Sequence, residues 1–327
     1  MQSPLQTEIR LAGNGVALDD PELQAKSASY YHFLRGQLAL NDQQFDQALA
    51  HFSEASTVRK VRSPLVHERL ARLHLRAGNL DAALEASEEA LRHGDQNSSL
   101  MLLYAGILES LGRDADAEQV YWRILDVKPD ASHAYVLLSS LLARAKRFDD
   151  GFAVLEKLRK RNSAEPMGYY YMGKLQELAN NLKRAEQEYR KALSLAQQKE
   201  SIALDLIRVL IKQSKYDEVE KVCRNVLARN PGNVAVRRVL GQILINQERL
   251  DDALDELEVL QDAEADPTDT RFTMAVIHVQ QRNYEDAVRE LNLILAKSPG
   301  HAKARYYLGS VFAGLGRKKD ALIELRQ

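Results

Sequence analysis

The sequence predicts an all-α solenoid built from pairs of antiparallel helices, and three observations predict it. Small residues recur at a fixed interval. Ala48, Ala83, Ala117, Gly151, Ala185, Val219, Ala253, Ala287 and Ala321 form one series, with a first step of 35 residues and later steps of 34. Twelve residues upstream of each lies a second series: Gly36, Ala71, Ala105, Ser139, Gly173, Ile207, Gly241, Ala275 and Gly309. Two series locked together over nine periods are the signature of a stacked repeat. Within a period, apolar residues follow steps of three and four, the spacing of one face of a helix. The phase then breaks at glycine or asparagine in mid-period and at proline near its end.

Each unit begins seven residues before the small residue of the upstream series, at Ser29, Pro64, Ser98, Ser132, Pro166, Glu200, Val234, Thr268 and Ala302. Apolar residues fall at positions 4, 7, 8 and 11 for the first helix and 17, 20, 24 and 27 for the second. Unit three shows the pattern in Met101, Tyr104, Ala105 and Leu108, then Ala117, Tyr121 and Ile124. Gly78, Gly112, Asn180 and Gly316 fall at the turn, where a helix C-cap adopts the left-handed conformation. Asn79, Asn181 and Asn283 follow and are expected to cap the second helix. Pro129, Pro231 and Pro299 close it.

Positions 8 and 20 hold small residues so that neighbouring helices approach closely. The sixth unit breaks both slots with Ile207 and Val219. Compensated repacking is one reading; a local change of superhelical curvature is the other. Cys223, the single cysteine, falls at an apolar slot and reads as a small buried hydrophobe. It excludes an internal disulfide and a cysteine-based metal site.

The ends depart from the pattern. Residues 1–28 are a lead-in. Asp19, Asp20 and Pro21 read as a helix start, so residues from Glu22 either extend the first helix or cap the array. Met1–Leu18 is expected to be mobile. Residues 29–327 form the array, and its last unit stops before the second helix completes. Either the chain continues, or this end packs on a partner or a second copy.

Length alone would suggest two domains, but a linear repeat overrides that prior. An apolar share of 45% supplies a continuous core. A net charge of −1 argues against nucleic acid or an anionic membrane as a partner. No apolar run approaches a membrane span, so no direct membrane insertion is expected. Met1–Ser27 lacks the apolar core of a secretory signal. The expected compartment is the cytoplasm, or the periplasm or envelope if a leader has been removed.

Catalytic motifs are missing. There is no phosphate loop, no His-Glu-x-x-His and no Gly-x-Ser-x-Gly. His74 and His278 occupy core position 11. Asp262, Glu264, Asp266 and Asp269 cluster in one link but lack the glycine and final glutamate of a calcium loop. No enzyme activity, cofactor or metal is expected.

The pattern resembles the tetratricopeptide repeat (TPR) family. Unit five carries the resemblance in Tyr169, Met172, Gly173, Leu182, Ala185, Tyr189 and Ala192, and unit eight adds Tyr284, Ala287 and Pro299. The family's tryptophan at position 4 is absent; Trp122 stands at position 25 of unit three. The resemblance implies a right-handed superhelix whose first helices line a concave groove, and a bacterial scaffold is the expected source.

Positions 2, 5, 9, 12 and 13 of the first helices are then the groove face. They hold Arg72, Arg76, Arg144, Lys174, Arg208, Lys212, Arg238 and Lys303 against Glu68, Glu109, Glu177 and Asp269. Phe33, Tyr170, Phe272 and Tyr306 share position 5 as candidate apolar anchors, with Tyr171 beside them. Chaperone-binding members of the family clamp a C-terminal carboxylate. Here the matching slots hold Arg238, Gln242, Thr273, Lys303 and Tyr307, of which only two keep the charge, so a chaperone co-factor is not expected. The expected function is a non-enzymatic scaffold that binds an acidic extended or helical protein segment. A self-assembling spacer, or the recognition arm of a longer enzyme, are the alternatives.

Overall fold

The computed structural model describes residues 21–57, 63–93, 97–196 and 200–326. The expectations placed on Met1–Leu18, Asp19 and Asp20 lie outside the described residues.

Every regular element among the described residues is a helix. They form nine pairs: α1 Pro21–Asn41 with α2 Phe45–Thr57, α3 Pro64–Arg76 with α4 Leu80–His93, α5 Ser98–Ser110 with α6 Asp114–Val127, α7 Ser132–Arg144 with α8 Phe148–Arg161, α9 Pro166–Leu178 with α10 Leu182–Leu195, α11 Glu200–Lys212 with α12 Tyr216–Arg229, α13 Val234–Asn246 with α14 Leu250–Ala263, α15 Thr268–Gln280 with α16 Tyr284–Lys297, and α17 Ala302–Gly314 with α18 Lys318–Arg326. The chain forms two compact bodies that meet between Arg161 and Asn162 in sequence. Within each body, every first helix packs on the second helix of its own unit, and every second helix packs on the next first helix.

The turn inside each pair is the same. One residue per unit, at position 15, has φ between +57° and +77°: Gln43, Gly78, Gly112, Lys146, Asn180, Ser214, Glu248, Arg282 and Gly316. The helix-ending hydrogen bonds follow suit. In unit four, Lys146 N–H donates to Ala143 O at 2.9 Å and Arg147 N–H to Leu142 O at 2.9 Å. This is the six-to-one and five-to-two pattern that a left-handed residue closes. Glycine or asparagine is absent from five of the nine positions, and there a β-carbon crowds its own backbone. Glu248→Gly and Arg282→Gly are each expected to stabilise the chain by about 1 kcal/mol. Urea unfolding measures this, and a loss of stability would contradict it.

The asparagine caps need correction. Asn181 and Asn283 stand at the N-caps of α10 and α16, but their side chains cap nothing. Asn181 donates instead to Gln176 Oε1 at 3.0 Å, and Asn283 to Gln281 Oε1 at 3.3 Å. The cause is the tight turn before them, which leaves the cap residue at ψ 61° or 66°. The working caps lie in the longer links before first helices, where ψ is 103° at Asn97 and 90° at Asn233. Asn97 Oδ1 accepts from Ser99 N–H at 3.0 Å, and Asn233 Oδ1 from Val236 N–H at 3.0 Å.

Close packing within a pair centres on positions 8 and 24. A methyl added at Gly36 would lie 2.9 Å from the Phe52 ring, at Gly173 2.7 Å from Tyr189, and at Gly309 2.7 Å from Leu325. The small residue at position 8 is thus cut to fit a large one at position 24. The sixth unit reverses the sizes in the same register, with Ile207 at position 8 and Cys223 at position 24, both buried in one core cluster. The exchange of sizes is the pattern that compensated repacking predicts. Burial, with help from Glu220 and Glu256, pushes the Cys223 thiol up to about 12. It is therefore an inert core residue.

The slot that lacks tryptophan is filled by other means. In the last three units position 4 is arginine and position 23 is glutamate. Arg237 pairs with Glu256, Arg271 with Glu290 at 2.8 Å, and Arg305 with Glu324 at 2.9 Å. Arg237 and Arg305 also donate to the carbonyls of the closing prolines, Pro231 at 2.7 Å and Pro299 at 2.8 Å. Tyr135 reaches Pro129 O at 3.1 Å in the same way. In unit one the two positions hold His32 and His51, with ring centroids 5.8 Å apart.

Candidate binding face

The side chains named as groove candidates all project from first helices, and their surroundings sort them into three groups. Most of the cations are held by carboxylates. In the N-terminal body, Arg72 pairs with Glu68 one turn away at 2.8 Å. Arg144 bonds Glu109 of the preceding first helix and lies 3.8 Å from Asp114. In the C-terminal body, Arg208 and Lys212 both grip Glu177, at 3.1 and 2.8 Å. Arg208 also bonds Asp205, and Arg238 bonds Glu264.

A second-helix tyrosine completes two of these groups. Tyr121 OH donates to Glu109, and Tyr189 OH donates to Glu177 at 3.2 Å. Each forms a chain from tyrosine at position 24, through glutamate at position 12, to a cation on the next first helix. Burial, then the neighbouring carboxylate, pushes both phenols well above their ordinary value. Tyr170 donates to Asp205 at 2.8 Å and is raised for the same two reasons. Asp205 and Glu264 were not anticipated as partners. Asp205 falls at position 6, one place beyond the positions assigned to the face, and Glu264 lies in a link.

Three cations have no carboxylate partner among the described residues. The Arg76 guanidinium lies 3.5 Å above the Phe45 ring. Lys174 Nζ stands 5.2 Å from the Tyr170 ring centre and 3.4 Å from its hydroxyl. Lys303 is exposed and touches no acid.

The aromatic candidates also divide. Phe33 packs edge-on against Phe52, with centroids 5.7 Å apart, and belongs to the core edge. Phe272 meets Tyr307 of the next unit edge-on at 5.0 Å, and Tyr306 stands beside it at 5.9 Å. Tyr306 itself is 62% exposed. Units eight and nine thus present three rings on one face, with Lys303 one turn before Tyr306. Among the candidate positions, this is where an exposed ring and an unpaired cation coincide.

The acidic link is spent locally. Glu264 accepts from Arg238 and from Thr270 Oγ1 at 2.6 Å. Asp266 accepts from Thr268 and from Lys297 at 3.0 Å, and these bonds hold its carboxyl below the ordinary value.

The ion pairs make a pH prediction. Burial alone would raise the Glu186 carboxyl, but hydrogen bonds from Lys215, Gln213 and Arg190 outweigh it and lower the group below 4.5. Glu177 is lowered likewise by Arg208 and Lys212 against its burial. A carboxyl lowered on folding adds stability that is full above its unfolded value and is lost as pH falls through its folded value. Glu186→Gln is therefore expected to lower stability at pH 7 and to flatten its decline below about pH 4.3. Urea midpoints across pH 2.5–7 check this: parallel curves for both proteins would contradict it.

These features define a class: a helical repeat solenoid whose first helices carry an exposed mixed aromatic and charged face. The chain belongs to the tetratricopeptide repeat family. A family model described as the tetratricopeptide repeat protein 21 C-terminal ARM domain matches residues 78–244, just over half of the chain. A tetratricopeptide repeat model matches residues 33–95 and 272–327. The fold is similar to the C-terminal part of a TPR repeat-containing protein from Cytophaga hutchinsonii, with a TM-score of 0.51 at 18% identity, covering 84% of this chain and 99% of that one. A tetratricopeptide repeat protein from Parabacteroides merdae aligns with a TM-score of 0.47 at 16% identity, over 77% of this chain and 100% of that one. The human mitochondrial import receptor subunit TOM70 is 25% identical over 189 residues, which are 56% of this chain and 31% of TOM70. The chain thus spans about a third of the length of that relative. Proteins of this family mediate protein–protein interaction and are generally non-enzymatic scaffolds. No described helix is long and apolar enough to cross a membrane.

Proposed function

We propose that the chain is a polypeptide-binding adaptor that captures an extended or helical segment of a partner protein on the first-helix face. The observation that carries this is the exposed Tyr306 beside Phe272 and Tyr307, with the unpaired Lys303 one turn away. A ring on a preformed aromatic floor offers apolar area at little entropy cost, and such residues supply the few dominant contacts of an interface. The unpaired ammonium favours an acidic residue next to the partner's apolar anchor. The human relative TOM70 is a receptor subunit, which is in keeping with this reading.

The test is selection of displayed peptides against the wild-type chain and against a Lys303→Glu, Tyr306→Ala variant of unchanged helicity. Wild type is expected to enrich sequences in which an apolar or aromatic residue lies within a turn of an acid. The variant is expected to bind them at least about thirtyfold more weakly, the scale of losing one dominant contact. Equal enrichment by both proteins would remove this face as the binding surface.

A further inference from the structure

The outward side of the second helices breaks its own pattern in two units. Position 26 there is polar in units one to six, at Glu54, Glu89, Arg123, Lys157, Lys191 and Asn225. In units seven and eight it holds Val259 and Leu293, which are 48% and 45% exposed. Large apolar residues at one position of consecutive units make a patch rather than scattered exposure. Acids rim this patch. α14 carries Asp251, Asp252, Asp255, Glu256, Glu258 and Asp262, and no lysine or arginine. Asp255, Glu258, Val259 and Asp262 follow steps of three and four, so they share one stripe of the helix. The three acids of that stripe are exposed, and none bonds a cation among the described residues.

We infer that the occupant of this patch is a second copy of the chain, which docks through its own α6 and α8. The outward side of those two helices is basic. Arg123 stands at position 26 of unit three, and Lys157 and Lys160 at positions 26 and 29 of unit four. All three are exposed and have no carboxylate partner among the described residues. Lys157 Nζ lies 4.9 Å from the centre of the Trp122 ring. The indole therefore reaches the surface between α6 and α8, with the cations around it. Val127, 38% exposed, follows Arg123 by one turn. Tryptophan and arginine are among the side chains that supply the dominant contacts of interfaces.

The two halves match in charge and in spacing. Lys157 and Lys160 are separated by about 4.5 Å along α8, and Glu258 and Asp262 by about 6 Å along α14. Two lysine side chains absorb that difference, so one helix laid along the other sets both ammonium groups against both carboxylates. Arg123 is then left for Asp255, and Trp122 and Val127 for Val259 and Leu293. The cations of the first-helix face are mostly paired already, whereas none of these six charges has an ion pair to give up. The contact therefore adds ion pairs without breaking others. It uses second helices only and stands apart from peptide binding on the first-helix face.

The test is sedimentation equilibrium of the full chain at low salt, with two charge-reversed variants of unchanged helicity. One is Lys157→Glu, Lys160→Glu; the other is Glu258→Lys, Asp262→Lys. All four positions are exposed, so both variants are expected to fold. Wild type is expected to gain mass as its concentration rises to about 100 μM, as a small and transient interface does, and to lose that gain at high salt. Each variant alone is expected to associate at least about tenfold more weakly. Mixing the two variants is expected to restore association, because each brings the patch that the other has reversed. A wild type that stays monomeric would overturn the inference, and if it then bound a synthetic leucine–lysine helix the acidic patch would belong to a different, basic protein. Self-association that both variants keep, or that mixing does not restore, would overturn it as well.

Discussion

Ile207→Gly is expected to destabilise the chain by about 4 kcal/mol. Ile207 is buried at the contact between α11 and α12, where every other unit places a smaller residue. Removing its side chain leaves a void, because Cys223 opposite is also small and buried. Glycine in mid-helix adds its own backbone cost. Cys223→Tyr alone is expected to fail from the other side, by overfilling the same contact. The double substitution recreates the Gly173 and Tyr189 pair of unit five. It is expected to recover at least about 2 kcal/mol over the sum of the two single changes. Urea unfolding of the four proteins gives the coupling directly. Additive losses would show that positions 8 and 24 do not exchange volume.

Arg271→Ala is expected to cost about 3 kcal/mol, more than loss of its packing area would. The Glu290 carboxylate it pairs with is nearly fully buried, and Arg271 is the partner that reaches it at 2.8 Å. Arg289 stays 3.6 Å away, a poor substitute from an exposed side chain. Removing the arginine leaves a buried charge with little compensation, and such breaks cost far more than intact pairs contribute. An Arg271→Met, Glu290→Leu double change is expected to recover most of the loss, because it removes the uncompensated charge as well. If Arg271→Ala and the double variant unfold at the same urea concentration, the buried charge is not what the arginine offsets.

The helices were legible because their periodicity is imposed by packing, and packing repeats. First helices begin at Pro64, Ser98, Ser132, Pro166, Glu200, Val234, Thr268 and Ala302, where a residue pattern alone suffices to mark the change of phase. The left-handed turn was legible at Gly78, Gly112, Asn180 and Gly316. It was hidden at Lys146, Glu248 and Arg282, because there the architecture of the turn overrides what the residue prefers. The asparagine caps misled because residue type fixes capacity, whereas the preceding turn fixes ψ.

The face was legible by position and less so by charge. Composition along the first helices gives a basic excess. The acids that cancel much of it are partly on the same face, Glu109 and Glu177 at position 12, and partly outside the positions assigned to it, Asp205 at position 6 and Glu264 in a link. Sequence did carry one signal that went unread. Arginine at position 4 recurs with glutamate at position 23 in three consecutive units, at the same period as the apolar series.

The pairing of Arg144, Arg208, Lys212 and Arg238 has a chemical consequence for any incoming acid. A carboxylate can reach one of these cations only by displacing the one already bound, so binding there is a metathesis between two nearly equivalent salts. The net free energy of such an exchange is close to zero, whatever the strength of each bond taken alone. Discrimination among ligands then falls to groups that have nothing to exchange: the aromatic surface, and the few ammonium and guanidinium ions still without a counterion.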